Sequence, residues 1–143
     1  MFKYIHKNTP HTETNYQYMI NLGMDDDQIE SVYRQRDFEL QQHQEIAKNT
    51  RDAAIGANIN IAGHAFQVGP KARDNINEAI NKCQRDELPD SETRNWILAD
   101  NAVAAVTFAN LKDVMNAYAA RMDVIYQDYA TWRAGDKKEP FST

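Results

Sequence analysis

Between Thr107 and Arg133 the apolar residues Phe108, Leu111, Met115, Tyr118, Met122, Ile125, Tyr129 and Trp132 follow one another in alternating steps of three and four. That rhythm is a heptad seam on a single helix roughly 40 Å long. Thr107 stands at the N-cap, and Val106 and Leu111 hold the two places of a hydrophobic staple. Gly135 stands where a helix end takes a left-handed residue. A seam of this length needs something to lie against. Val114 and Tyr126 widen its apolar face, so the candidate contact residues are the eight seam stations together with Tyr126. Met122 and Ile125 are expected among the buried ones.

The rest of the chain must supply the partner or leave the seam to another protein. In 143 residues there is room for one modest core. Sixteen Lys and Arg stand against twenty-one Asp and Glu, a net charge of −5 with both signs interspersed. No basic groove for nucleic acid follows from that balance. The longest acidic run, Asp25-Asp26-Asp27, is too short for a nucleic-acid mimic. One cysteine, Cys83, allows no internal disulfide and fits a reducing compartment. The stretch MFKYIHKNTPH lacks a long apolar segment, and no run of eighteen apolar residues occurs. Neither a signal peptide nor a membrane span is expected.

Residues 1–12 alternate briefly at Phe2 and Tyr4, as a small edge strand would, and Asn8-Thr9-Pro10 reads as a turn. A short helix follows over 12–22, with Tyr16, Met19 and Ile20 on one face and Gly23 after it. Asp25 and Gln28 then form a capping box, with Met24 and Ile29 as its staple. An EF-hand is excluded there, because Arg36 occupies the position where such a loop needs Glu. The helix that begins at Asp25 carries Ile29, Val32, Tyr33, Leu40, Ile46 and Ala47 at helical spacing and runs to about Ala54. Arg36 and His43 occupy two of its inner stations, so its seam is weaker, partly exposed or specialised for register. The small residues Ala47, Ala53 and Ala54 suit the large residues of the later seam, making a pair within the chain.

After Gly56 the period changes to alternation. Ile59 and Ile61 oppose Asn58 and Asn60, Ala62-Gly63-His64 turns the chain, and Phe66 and Val68 return it. Gly69-Pro70 opens a helix with Ala72, Ile76, Ala79, Ile80 and Cys83 on its inner side. Cys83 is thus a core residue without a base beside it. A polar connector over 85–93 precedes a second hairpin at 95–106, with Trp96 on its first strand and Asp100-Asn101 at its turn. The expected fold is α+β: long helices packed on a small antiparallel sheet formed by the hairpins at 57–68 and 95–106. Residues 135–143 are polar and expected to be a flexible tail.

Arg51-Asp52, the run from Ile59 to Phe66, Arg73-Asp74-Asn75-Ile76, Trp96, Asp100-Asn101, Val106-Thr107, Leu111 and Arg121 form an ordered pattern. It resembles a domain of unknown function found in tailed-phage tail-fibre and tail-fibre-assembly proteins, over about residues 50–130. The chain departs from it at Ala65, where a larger residue is expected. The resemblance divides the chain into an N-terminal segment with a long helix (1–50, attachment or oligomerisation), a tail-associated α+β domain (51–134) and the tail (135–143). It implies a virion tail protein or a non-virion assembly chaperone, assembled in the host cytoplasm, with phage tail or tail-fibre proteins as partners. A small inhibitor of a host protein is the further alternative.

No catalytic reading competes well. His6, His11, His43 and His64 lack metal-ligand spacing, and the adjacent Asp86 and Glu87 lie on a polar connector. There is no G-x-S-x-G elbow and no phosphate loop. The chain is expected not to be an enzyme and to carry no cofactor or metal. Its expected work is protein contact, as a homo-oligomer, without nucleic acid or membrane.

Overall fold

The computed structural model describes residues 1–137 and 139–143. The chain divides into two compact units, residues 1–50 with 129–142, and residues 51–128 with Thr143. Two long helices contribute to both: α2, Asp26–Gly56, and α4, Phe108–Ala134.

In the first unit, β1 (Tyr4–His6) pairs antiparallel with β2 (Thr9–His11). The turn between them is Lys7-Asn8, with φ of 51° and 64°, the paired left-handed residues of a tight hairpin. The turn expected at Asn8-Thr9-Pro10 is therefore displaced, and Thr9 to His11 form a strand. Pro10 is tolerated because it lies opposite Ile5. With a two-residue turn that pair exchanges no hydrogen bonds, so the missing N–H faces outward.

The helix expected over 12–22 is α1, Tyr16–Asn21, capped by the Asn15 side chain on the N–H groups of Gln17 and Tyr18. It closes at Gly23 with φ 87°, where Gly23 N bonds Ile20 O at 2.9 Å and Met24 N bonds Met19 O at 3.2 Å. The capping box of α2 is present in both directions. Gln28 N donates to Asp25 Oδ1 at 2.8 Å, and Asp25 N donates to Gln28 Oε1 at 2.9 Å. Tyr4, Met19, Met24 and Ile29 form one buried cluster. Ala47, Tyr129 and Phe141 form another, with Trp132 packed against it.

The second unit holds two more hairpins, β3 (Ile59–Ile61) with β4 (His64–Phe66), and β5 (Thr93–Ile97) with β6 (Val103–Thr107). Between them runs α3, Pro70–Arg85, with Gly69 as N-cap and Pro70 in its first turn. The first turn sets Ala62 at φ 52° and Gly63 at φ 78°. The second hairpin turns through Asp100, whose Oδ1 accepts from Ala102 N at 2.9 Å, and Asn101, at φ 65°. Asparagine tolerates that left-handed conformation.

The α+β class is as expected, but the single small sheet is not. The hairpins stay separate two-stranded ladders. Among the described residues one backbone hydrogen bond joins them, Ala99 N to Ala65 O at 2.9 Å. With only three residues, β4 ends before a longer ladder can form. The interior of this unit is one cluster that includes Ile55, Phe66, Val68, Ile76, Cys83, Val106, Phe108, Leu111 and Val114.

The box that opens α4 is also reciprocal. Asn110 N donates to Thr107 Oγ1 at 3.0 Å, and Thr107 N donates to Asn110 Oδ1 at 3.1 Å. At the other end the expected left-handed Gly135 is not found, since its φ is not positive. Its N–H instead bonds to the carbonyls of Thr131 and Trp132, both at 3.2 Å, and the left-handed residue is Lys137, φ 55°.

Candidate functional site

The structure sorts the nine candidate contact residues by what covers them. In the second unit Phe108 and Leu111 are completely buried, and Tyr118 and Ile125 belong to the same core. Met115 is half-buried against it. In the first unit Tyr129 is buried and Trp132 is packed beside it, with Phe141 completing the aromatic group. Tyr129 and Trp132 stack at 6.0 Å, and Phe141 meets the Tyr129 ring edge-on at 5.4 Å. Met122, expected to be buried, is 36% exposed, and Tyr126 is 44% exposed.

Most of the seam is thus spent inside the chain. Of the small residues, Ala47 shares a cluster with Tyr129, and Ala54 packs against the core of the second unit. Ala53 is exposed and takes no part. Six residues after Ala47 it has turned to another side of the helix. Val114, read as widening the face, is a fully buried core residue.

What remains open is a set of apolar residues on the two long helices. On α4 Met122 and Tyr126, four residues apart, share one side, and Val124, 59% exposed, lies on the other. On α2, no residue between Ile29 and Ala47 is buried, and Phe38, Leu40 and Ile46 are exposed there. The polar stations foreseen on this helix explain the gap. Arg36 is half-buried with its guanidinium 4.7 Å from the Tyr33 ring centroid, and His43 is half-buried. Leu40 and Ile46 were visible in the sequence as helical positions, but nothing there marked them as uncovered. Phe38 lay outside the pattern altogether.

The residues of the ordered pattern have structural tasks in the second unit. Arg121 reaches back to the C-terminal end of α2. Its Nη1 donates to Ile55 O at 3.3 Å and to Ala57 O, and its Nη2 donates to Asn58 O at 3.2 Å. A cation there satisfies orphan carbonyls and meets the negative end of the helix dipole. Among the described residues Arg73 neither caps a helix nor pairs with a carboxylate. Its guanidinium lies 4.4 Å from the Tyr118 ring centroid. Arg51 pairs with Asp52 at 2.7 Å and stands 5.3 Å from the ring of Tyr126. Trp96 is half-buried against the core, as a filler should be.

The hydrogen bond to Asp26 raises the Tyr16 hydroxyl above its ordinary range. The bond from Lys82 lowers the Asp86 carboxyl, and the bond to Asp90 raises the Lys112 ammonium. Burial raises the Tyr4 hydroxyl, which donates to Glu13 O at 2.6 Å. Among the described residues no three His, Cys, Asp or Glu side chains are placed to hold a metal ion. No helix among them is long and apolar enough to cross a membrane.

An α+β chain with uncovered apolar helix faces is the class these features define. Residues 39–137 match the domain of unknown function DUF4376, and the chain belongs to that family. No curated protein and no solved structure matches it.

Proposed function

We propose that this protein is a bacteriophage tail component, structural or assembly, that acts by protein–protein contact and self-associates through its open helix faces. The observation that carries the contact reading is the run of α2 from Glu30 to Ile46, in which no residue is fully buried and Phe38, Leu40 and Ile46 are exposed. A helix this long gains most of its stability from packing apolar side chains, so the ones left open around this run invite a partner. The tail setting rests on the ordered pattern from Arg51 to Arg121 and its resemblance to tail-fibre and tail-fibre-assembly polypeptides. A closed symmetric oligomer is the simplest form such self-association takes.

Mass spectrometry of purified virions tests the setting. A resident tail protein is present at a constant ratio to other tail components. If the chain is missing from virions but co-purifies with a fibre protein from infected cells, it is an assembly chaperone. Absence from both overturns the tail reading and leaves the host-inhibitor alternative.

A further inference from the structure

A second surface, in the unit of residues 51–128, has the chemistry of a peptide groove. It runs between α3 and β5 and encloses about 740 Å³. That volume falls within the range of roughly 300–1,000 Å³ typical of binding clefts. Along α3 it is bordered by Lys71, Asn75, Glu78, Lys82 and Arg85. On the strand side every residue from Arg94 to Ile97 borders it. A strand that presented one face would contribute alternate residues, so four in succession mean that the groove lies along the strand's edge.

Among the described residues the edge of β5 away from β6 carries no strand, and just beyond β5 Ala99 N bonds Ala65 O of β4 at 2.9 Å. Leu98 N bonds Ala102 O at 2.8 Å and Phe108 N bonds Glu92 O at 3.3 Å, which fixes the even-numbered residues as those bonded across to β6. The N–H and C=O groups of Asn95 and Ile97 therefore point the other way. Open groups of this kind are a template for another strand.

The charge around the edge is selective. Lys71, Lys82, Arg85 and Arg94 face a single carboxylate, Glu78, in a chain whose net charge is −5. Lys82 is tied to Asp86. Lys71, Arg85 and Arg94 have no ion pair among the described residues. The Arg94 guanidinium lies 4.9 Å from the Phe108 ring, with its Nε buried and without a hydrogen-bond partner.

We infer that the groove between α3 and β5 binds an extended acidic segment of another protein, which adds as a strand to the edge of β5. Its backbone pairs with Asn95 and Ile97, and its carboxylates meet Lys71, Arg85 and Arg94. Glu78 disfavours an unbroken run of negative charge, so the segment alternates acidic with neutral residues. A nucleic-acid strand suits the site less well. It cannot continue the ladder, and half-buried Trp96 offers no open stacking platform. The groove uses other residues than the open helix faces, so failure of either leaves the other standing.

The test is selection of a random ten-residue peptide library, displayed on yeast, against the full-length protein. Enriched peptides should be rich in Asp and Glu at alternate positions. The double variant Lys71→Glu, Arg85→Glu should bind them about tenfold more weakly or worse, with circular dichroism unchanged because both positions are exposed. In ¹⁵N spectra the amides of Asn95 and Ile97 should shift on peptide addition, and N-methylation of the peptide backbone should abolish binding. No enrichment, enrichment of neutral or basic peptides, or equal binding by the double variant would overturn the proposal. So would displacement of the peptide by an equal concentration of single-stranded oligonucleotide.

Discussion

The two units close their interiors in opposite ways. Residues 51–128 bury one continuous cluster from Ile55 to Ile125, fed by two hairpins, α3 and most of α4. Residues 1–50 and 129–142 bury two small groups, Tyr4 with Met19, Met24 and Ile29, and Ala47 with Tyr129 and Phe141. The difference lies in what meets each helix. In the second unit Phe108, Leu111 and Val114 share their cluster with side chains from α2, β3, β4, α3 and β6. In the first, α2 presents Arg36, His43 and Glu39 where a core would need apolar residues, and the interior divides. A helix pattern specifies a core only where the rest of the chain can surround it.

This contrast can be broken from either side. Phe108→Ala should have the largest effect, about 3–5 kcal/mol, because a completely buried ring leaves a cavity in a core with little room to collapse. Urea unfolding should show it as a lower midpoint. Phe141→Ala should cost less, about 2–3 kcal/mol, since its cluster is small and near the surface. Trp132 emission should shift to the red in that variant while the core of the second unit keeps its amide protection.

Arg121→Ala should cost about 1–2 kcal/mol through the carbonyls of Ile55, Ala57 and Asn58 that it leaves without a donor. Lysine at this position should recover only part of the loss, because it lacks the planar fork. Faster hydrogen exchange at the start of β3 would be the local sign. The smallest effect has the opposite direction. Ala62 is held at φ 52°, so Ala62→Gly should stabilise the second unit by about 0.5–1 kcal/mol. A lower melting temperature in that variant would contradict the role given to the turn.

Much of this architecture could be read from the residues. The capping box of α2, the Thr107 cap of α4, the two later hairpins, the buried Cys83 and the helix opened by Pro70 follow from short-range chemistry. The misses have a common cause. Lys7-Asn8 forms the first turn because two residues enter the left-handed region together, and Asn8-Thr9-Pro10 resembles a commoner signal. Phe141 looked like part of a polar tail, and only the nearby rings of Tyr129 and Trp132 give it a place. Arg121 stands more than sixty residues from the carbonyls it binds. The contact surface was the least legible of all. Periodicity names the apolar positions of a helix, but whether Met122 or Ile46 is covered depends on neighbours remote in sequence.

Sedimentation velocity at tens of micromolar tests the contact reading most directly, on the native chain and on Phe38→Glu and Tyr126→Glu. Both substituted residues are exposed, so both variants should keep the fold. Self-association through these residues predicts a concentration-dependent oligomer for the native chain and a shift toward monomer in at least the Phe38 variant. A native chain that sediments as monomer throughout, unchanged by either substitution, would contradict it.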